Sequence, residues 1–267
     1  MDVSAFPHAS SQVSDHIRAS ITRRPHERVG PFLAAFDPHS TDIWRNYAVP
    51  DDNARPGRPE VAALVALFEQ HNRTPRLEYV PATAPEVESA LTAAGFTVEG
   101  RPPVMVSTPE VTLTPRSPAG ITLGFATGDR ELLEAATVQH VAYGQPEPAG
   151  PHDVARLRAT VARGGLVAVA RDAASGTVVG SGLLARNGPP GTTGELAAVG
   201  VLPGYRRRGV ASAVSVHLAA AAHDRGVRLV WLEAAPEEER IYLRAGFVVA
   251  GQKLWISLRD AATPVTV

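Results

Sequence analysis

The chain has 267 residues, enough for one large domain or two small ones, and its 44% hydrophobic and 20% charged residues are ordinary for a globular protein. A formal net charge of -1 and a pI near 6.8 leave no global basic field for nucleic acid or an anionic membrane, and the absence of cysteine excludes disulfides, a thiol nucleophile and thiolate metal ligands. The opening residues hold no basic segment ahead of an apolar run, and no stretch nears the roughly 20 apolar residues that span a bilayer. The expected setting is cytoplasmic.

In chain order, Val29–Phe36 and Tyr47–Val49 read as strands, Pro59–His71 as a long helix and Arg76–Val80 as a strand. A short helix then ends in Ala94-Gly95-Phe96. The stretch 107–119, rich in Ser, Thr and Pro, reads as an extended linker. Beyond it Ile121–Ala126 alternates as a strand, Asp129 caps a helix running to about Tyr143, and Gly144–Pro151 is loop. His152–Arg163 is a second helix. Leu166–Arg171 and Thr177–Arg186 form a hairpin, Asn187–Gly194 a loop and Glu195–Val201 a strand. Arg206–Arg225 is a helix whose apolar face holds Val210, Ala213, Val214, Leu218 and Ala221, with His217 among them as a core histidine. Arg228–Glu233 is a strand, Pro236–Ala245 a helix, and two strands follow. Nothing has the spacing of a zinc protease or a G-x-S-x-G elbow, and no metal is expected.

An internal repeat organises these elements. Segments 76–107 and 228–258 both begin Arg-Leu, pass through Ala-Pro-Glu, and end a short helix in Ala-Gly-Phe before Val-x-Gly and a last apolar strand. The glycine fits the position after a helix where a left-handed turn is needed. Two domains of similar fold are expected, over 1–108 and 120–267, with 109–119 between them.

The informative stretch for chemistry is Glu195–Ser212. A strand passes through Pro203-Gly204 into Arg206, Arg207, Arg208, Gly209, Val210 and Ala211 at the start of a long helix. The first N–H groups of a helix are unpaired and carry partial positive charge. Gly209 admits a ligand close to the backbone, and three arginines add full charge. On physical grounds this is an anion cradle.

Arg206-x-x-Gly209-x-Ala211 after Val-x-Pro resembles the acetyl-CoA signature of the GNAT N-acetyltransferase family. Ile241-Tyr242-Leu243-Arg244-Ala245-Gly246-Phe247 resembles that family's final helix. The resemblance covers about 120–258. It implies two α/β domains of the acyl-CoA N-acyltransferase fold, each a mixed, mostly antiparallel sheet flanked by helices. It also implies a bulged strand that parts from its parallel neighbour to admit the pantetheine arm. Val199 and Val201 would lie nearest that arm, and the backbone from Arg207 to Ala211 would hold the diphosphate. Glu195, in register with Ala197, Val199 and Val201 by simple alternation, is the expected base, and Tyr242 the expected acid. His140 and Tyr143 are expected near the acceptor. The activity implied is transfer of an acetyl group from acetyl-CoA to a small-molecule primary amine by direct attack in a ternary complex; the alternative is a non-catalytic acyl-CoA-binding protein.

Two departures stand out. Where many members carry an asparagine seven residues before the tyrosine, this chain has Ala235. In the first half, the turn matching the arginine cradle reads Asp51-Asp52-Asn53-Ala54-Arg55-Pro56-Gly57-Arg58-Pro59, and Leu91 stands for Tyr242. Negative charge and missing N–H donors oppose a diphosphate there, so the first half is expected to be a degenerate copy.

Overall fold

The computed structural model describes residues 8–38, 40–111, 113–187, 192–235 and 237–259. The elements are α1 (Ala9–Ile21), β1 (His26–Val29), β2 (Phe32–Ala35), β3 (Tyr47–Pro50), α2 (Arg58–Gln70), β4 (Arg76–Tyr79), α3 (Val87–Ala93), β5 (Thr97–Gly100) and β6 (Pro103–Ser107). They continue with β7 (Ile121–Phe125), α4 (Asp129–Ala142), α5 (Pro151–Ala162), β8 (Leu166–Asp172), β9 (Val178–Ala185) and β10 (Thr193–Val201). The last are α6 (Val210–Asp224), β11 (Leu229–Glu233), α7 (Glu239–Arg244), β12 (Val248–Gln252) and β13 (Leu254–Ser257). No helix among the described residues is long and apolar enough to cross a membrane.

The chain forms two units, one running to Val104 and resuming at Ala250, the other Met105–Val249. The first has a six-stranded sheet in the order β1-β2-β3-β4-β13-β5, and the second a seven-stranded sheet in the order β12-β6-β11-β10-β9-β8-β7. This differs from the expected division at 109–119. The last strand of each sequence half is built into the other half's sheet: β6 lies beside β11, and β13 beside β4. Pro102 and Pro103 supply no N–H for a tight hairpin from β5 back to β6, so the chain leaves that sheet.

Buried charges fix β13 in the first sheet. Leu254, Trp255, Ile256 and Ser257 pair antiparallel with Tyr79, Glu78, Leu77 and Arg76. The Lys253 ammonium donates to Glu78 at 2.9 Å, Arg76 donates to Glu99 at 2.8 Å and also to Glu78, and Arg76 lies 4.3 Å from the Trp44 ring centre. Burial works to raise the Glu78 carboxyl, yet Lys253 and Arg76 together hold it below the usual carboxylate range.

The repeat takes the same local form twice. Gly95 and Gly246 both have positive φ, at 91° and 89°, and the following Phe96 and Phe247 are buried. Phe96 N–H donates to Leu91 O and Phe247 N–H to Tyr242 O, while Gly95 and Gly246 donate to Thr92 and Leu243 carbonyls. This is the two-bond helix stop in which only glycine adopts the left-handed turn at little cost. Two sequence expectations for the first unit need revision. Val29–Phe36 is not one strand but β1 and β2 joined at Gly30. The helix α1, with no counterpart in the sequence reading, buries Val13, Ile17 and Ile21.

In the second unit the core lies on both faces of the sheet. One cluster joins α6 to Ala168, Ala170, Leu184, Leu196 and Val230, and the other joins α4 and α5 to Val167, Val169, Leu183 and Ala197. Small residues in β8 and β9 bring α6 close. A Cβ at Gly180 would fall 2.6 Å from Val210, the first residue of α6, and one at Gly182 would fall 2.9 Å from Val214. The glycines around Ser181 therefore serve packing. Replacing Gly180 with alanine should destabilise the second unit by about 1–3 kcal/mol in urea unfolding, because Val210 has nowhere to move without lifting the helix start. An unchanged midpoint would show that α6 shifts freely.

Candidate functional site

The site begins with one strand that changes face. β10 pairs antiparallel with β9 along its length, but its register shifts between Ala197 and Gly200, and Ala198 has φ of 52°. A left-handed alanine is strained, and such outliers cluster at functional positions. Parallel pairing with β11 covers Thr193–Leu229, Gly194–Val230 and Glu195–Trp231. Beyond Glu195 the ladder ends and the strands part.

The bulge overturns the expected alternation. Ala197 packs with α4 and α5, whereas Leu196, Val199 and Val201 pack with α6. Counting back from Leu196 assigns Glu195 to the α4 face with Ala197, opposite Val199 and Val201. With residue 198 in regular strand conformation all four would share one face, as the sequence pattern implied. Glu195 stands at the point where the two strands separate and is half-buried.

Beyond the parting lies a cleft of about 890 Å³. One wall is Val199 and Val201 of β10, and another is the turn Tyr205–Gly209 with the α6 start at Val210, Ala211 and Ser212. Ala142 and Tyr143 from the end of α4 close one side, and Glu237, Glu238, Ile241 and Arg244 from α7 and its approach close the other. Arg207 and Gly209 have positive φ, at 63° and 80°, and Ala213 N–H donates to Gly209 O as the first helical bond. The N–H groups of Val210, Ala211 and Ser212 precede any helical acceptor. The first turn has no acidic residue and no side-chain cap.

The three arginines divide their work. Arg206 donates to the Val201 and Ala142 carbonyls at 3.2 and 3.4 Å, so its guanidinium ties the turn to β10 and α4. Arg208 lies 5.0 Å from the Tyr205 ring centre and does not line the cleft. Tyr205 in turn donates to Asp172 at 3.1 Å. Arg207 lines the cleft, making it the arginine of the three whose charge is best placed for an anion.

The equivalent helix start in the first unit is closed. Glu60 accepts the Gly57 N–H at 2.7 Å across the first turn of α2. Arg18 of α1 pairs with Asp52 at 2.7 Å, and Arg28 pairs with Asp51 at 2.7 Å. The two aspartates expected to repel an anion are already paired within the unit, and the Gly57 N–H is taken.

Tyr242 is buried on α7, and its hydroxyl has no hydrogen-bond partner among the described residues. Burial first, then the nearby Glu238 carboxylate and Tyr143, push its pKa well above an ordinary phenol. It stays protonated through neutral and alkaline pH. Tyr143 is 58% exposed and lines the cleft, and its hydroxyl donates to Val199 O at 3.3 Å. Desolvation and Glu238 push that phenol up to about 12. His140 does not line the cleft. Its ring nitrogens meet Glu147 O at 2.9 Å and Asp153 at 3.2 Å, and Asp153 also accepts the Gly150 N–H at the start of α5. His140 therefore holds the connection between α4 and α5.

Sequence reasoning passed over Glu238. It sits one turn before Tyr242, the i, i+4 spacing that places both on one helix side. Burial raises its carboxyl above the usual range against a backbone hydrogen bond at Ala235 that lowers it, and Glu237 adds a smaller upward push. The signal was the run of three glutamates after Pro236. Among the described residues no group of His, Asp and Glu side chains is arranged to hold a metal.

Comparison with known proteins agrees with this geometry. Residues 132–247 match the family model described as acetyltransferase (GNAT) family. A GCN5-related N-acetyltransferase from Kribbella flavida shares the fold with a TM-score of 0.76 at 22% identity, over 96% of each chain. One from Sphaerobacter thermophilus has a TM-score of 0.61 at 20% identity, over 97% of this chain and 95% of that one. A tandem GNAT protein from the clavulanic acid biosynthesis pathway has a TM-score of 0.59 at 15% identity, over 95% of this chain and 96% of that one. None of the curated proteins compared matches the chain by sequence. With two sheets of the same mixed, mostly antiparallel design and a parted strand beside an open helix start, the chain carries a domain of the GNAT acetyltransferase family over residues 132–247.

Proposed function

We propose that the chain is an acetyl-CoA-dependent N-acetyltransferase acting on a small primary amine, with one active site, in the second unit. The observation that supports this best is the continuity of the cleft. It runs from the open N–H groups of α6 along Val199 and Val201, on the stretch of β10 that has already left β11; Glu195 and Tyr242 lie outside its lining. A thioester arm anchored by a diphosphate at Arg207–Ala211 would run along that cleft toward the gap.

In this reading the diphosphate takes the N–H groups from Arg207 to Ala211 and the charge of Arg207. The arm follows Val199 and Val201, and the amine comes from the α4 face, where Glu195 stands. The amine nitrogen attacks the thioester carbonyl and the C–S bond breaks. Glu195 accepts the proton that the amine sheds, directly or through one water, and Tyr242 gives a proton to the departing sulfur. The opposite-face arrangement helps: base and leaving group stand on two sides of the carbonyl carbon. Tyr143 borders the acceptor side, and His140 shapes the loop there without touching the amine.

The two halves differ in what their helix starts can accept, and this sets the stoichiometry. The start of α6 is open, while that of α2 is capped by Glu60 with two paired aspartates beside it. Calorimetric titration with acetyl-CoA should give one site per chain, lost on Gly209→Glu, which sets a carboxylate against the diphosphate. Two sites, or a site surviving that change, would count against the assignment of the cradle. Thiol release across a panel of amines then separates an enzyme from an acyl-CoA-binding protein that does not turn over.

Glu195→Gln should lower the acetylation rate more at neutral than at alkaline pH, because a base is needed only while the amine arrives as ammonium. A loss equal at all pH values would give Glu195 a positioning role. Tyr242→Phe should lower kcat by about tenfold or more with acetyl-CoA affinity little changed, since the phenol acts on charge that develops at sulfur. Unaltered turnover would remove Tyr242 from the mechanism.

A further inference from the structure

Glu238 is a carboxyl group in an awkward place. It lines the cleft with Val199 and Val201, the two residues assigned to the acyl-CoA arm. Glu237, Tyr242 and Tyr143 at the end of α4 interact with it, and the other titratable groups lining the same cleft are Arg244 on α7 and Tyr205, Arg206 and Arg207 on the turn before α6. β10 offers it only apolar side chains. Among the described residues no arginine pairs with it, since Arg206 is bonded to the Val201 and Ala142 carbonyls, and the one contact that favours its ionised form is a backbone hydrogen bond at Ala235, which burial outweighs.

The family asparagine that would meet the arm is replaced by Ala235, whose side chain has no donor or acceptor. Glu238 lies about one helical turn further on, and it is the acidic side chain beside both phenols. A pantetheine arm carries amides, each with an N–H and a carbonyl. A neutral carboxyl group both donates and accepts, so it satisfies such an arm as an amide side chain would. A carboxylate only accepts, and an arm lying in the cleft strips away the water that solvates its charge. The diphosphate arriving in the same cleft adds about two negative charges and disfavours the ionised form further.

We infer that binding of acyl-CoA to this chain takes up a proton at Glu238, whose neutral carboxyl group hydrogen-bonds to the pantetheine arm in place of the missing amide side chain. This rests on the acyl-CoA reading above. The raised carboxyl of the free protein is the starting point, and the ligand raises it further. The sign follows. Affinity is full below the pKa of the free protein and falls as pH rises above it, by at most about tenfold per pH unit for one proton.

The test is calorimetric titration with acetyl-dephospho-CoA, which lacks the titrating 3′-phosphate, on the full chain and on Glu238→Gln between pH 6 and 8.5. The wild-type Kd should weaken by at least about fivefold relative to the variant over that range. Titrations in two buffers of different ionisation enthalpy should show net proton uptake by the wild type and less by the variant. Should the variant not fold, the wild-type buffer pair decides alone, and an absence of proton uptake overturns the inference. Equal pH dependence in the two proteins overturns the inference and leaves the acyl-CoA reading standing. If the wild type binds no acetyl-CoA derivative at any pH, both fall. Unchanged binding with lost turnover in the variant would make Glu238 a base instead, and overturns the proton-uptake role.

Discussion

Two parallel strands stay hydrogen-bonded only while their residues keep the same phase. β10 leaves that phase after Glu195, where an alanine in a left-handed conformation inserts one extra residue against β9. The site depends on this step. Ladder bonds that would have continued toward the end of β11 are not made, and the gap that replaces them leads to the start of α6. The same extra residue moves Val199 and Val201 to the α6 face and leaves Glu195 on the other. A single bulge thus makes the opening and sorts the groups on either side of it. The cost of order 1–2 kcal/mol for a left-handed alanine is carried by the packing of β10 between β9 and both helix layers.

The two units show how little must change to close such a site. Both have a parallel pair at the corresponding place, and in the first it is held by the single register pair Ala48–Leu77. Both have a long helix after that strand, and both have a glycine before it. The difference lies in three side chains. Glu60 turns back onto its own helix start, and Arg18 and Arg28 hold the aspartates that occupy the turn. Arg18 belongs to α1, which has no counterpart ahead of β7 in the second unit. The first unit satisfies its own helix start, and the second leaves the first N–H groups of α6 without a side-chain cap.

Most of this was legible where the signal is local. Ala-Gly-Phe fixed both helix stops, because few residues besides glycine tolerate that turn. The arginine-glycine run marked the helix start, although it could not show that Arg206 and Arg208 would turn to carbonyls and to Tyr205. The elements of the second half were read in the right order. Their ends moved by a few residues, α6 starting at Val210 rather than Arg206 and α7 at Glu239 rather than Pro236. What escaped has long-range causes. An alanine gives no warning of a left-handed bulge, so the faces of β10 were read wrongly. α1 has polar residues between its apolar ones and gains its place only by packing. The burial of Glu238 depends on α4 and β10 as much as on α7. The exchange of β6 and β13 depends on partners far away in sequence: Lys253 finds Glu78 175 residues back.

That exchange bears on how the chain is made. Ribosomes deliver residues in order, at about 5–20 per second. By the time β5 has emerged, the first sheet has β1 to β4 in place, but β4 lacks the neighbour that lies between it and β5. The open edge, with Arg76, Glu78 and Glu99 awaiting Lys253, must persist until residues 253–257 have been synthesised, after the whole of the second unit. Bare strand edges invite pairing with other nascent chains. Here Arg76 answers only one of the two carboxylates' charges, and an apolar strand from elsewhere would bury the other without the Lys253 ammonium, a strong penalty against the wrong neighbour. The buried Arg76–Glu78–Lys253 group thus guards the first sheet during the interval in which its own last strand does not yet exist.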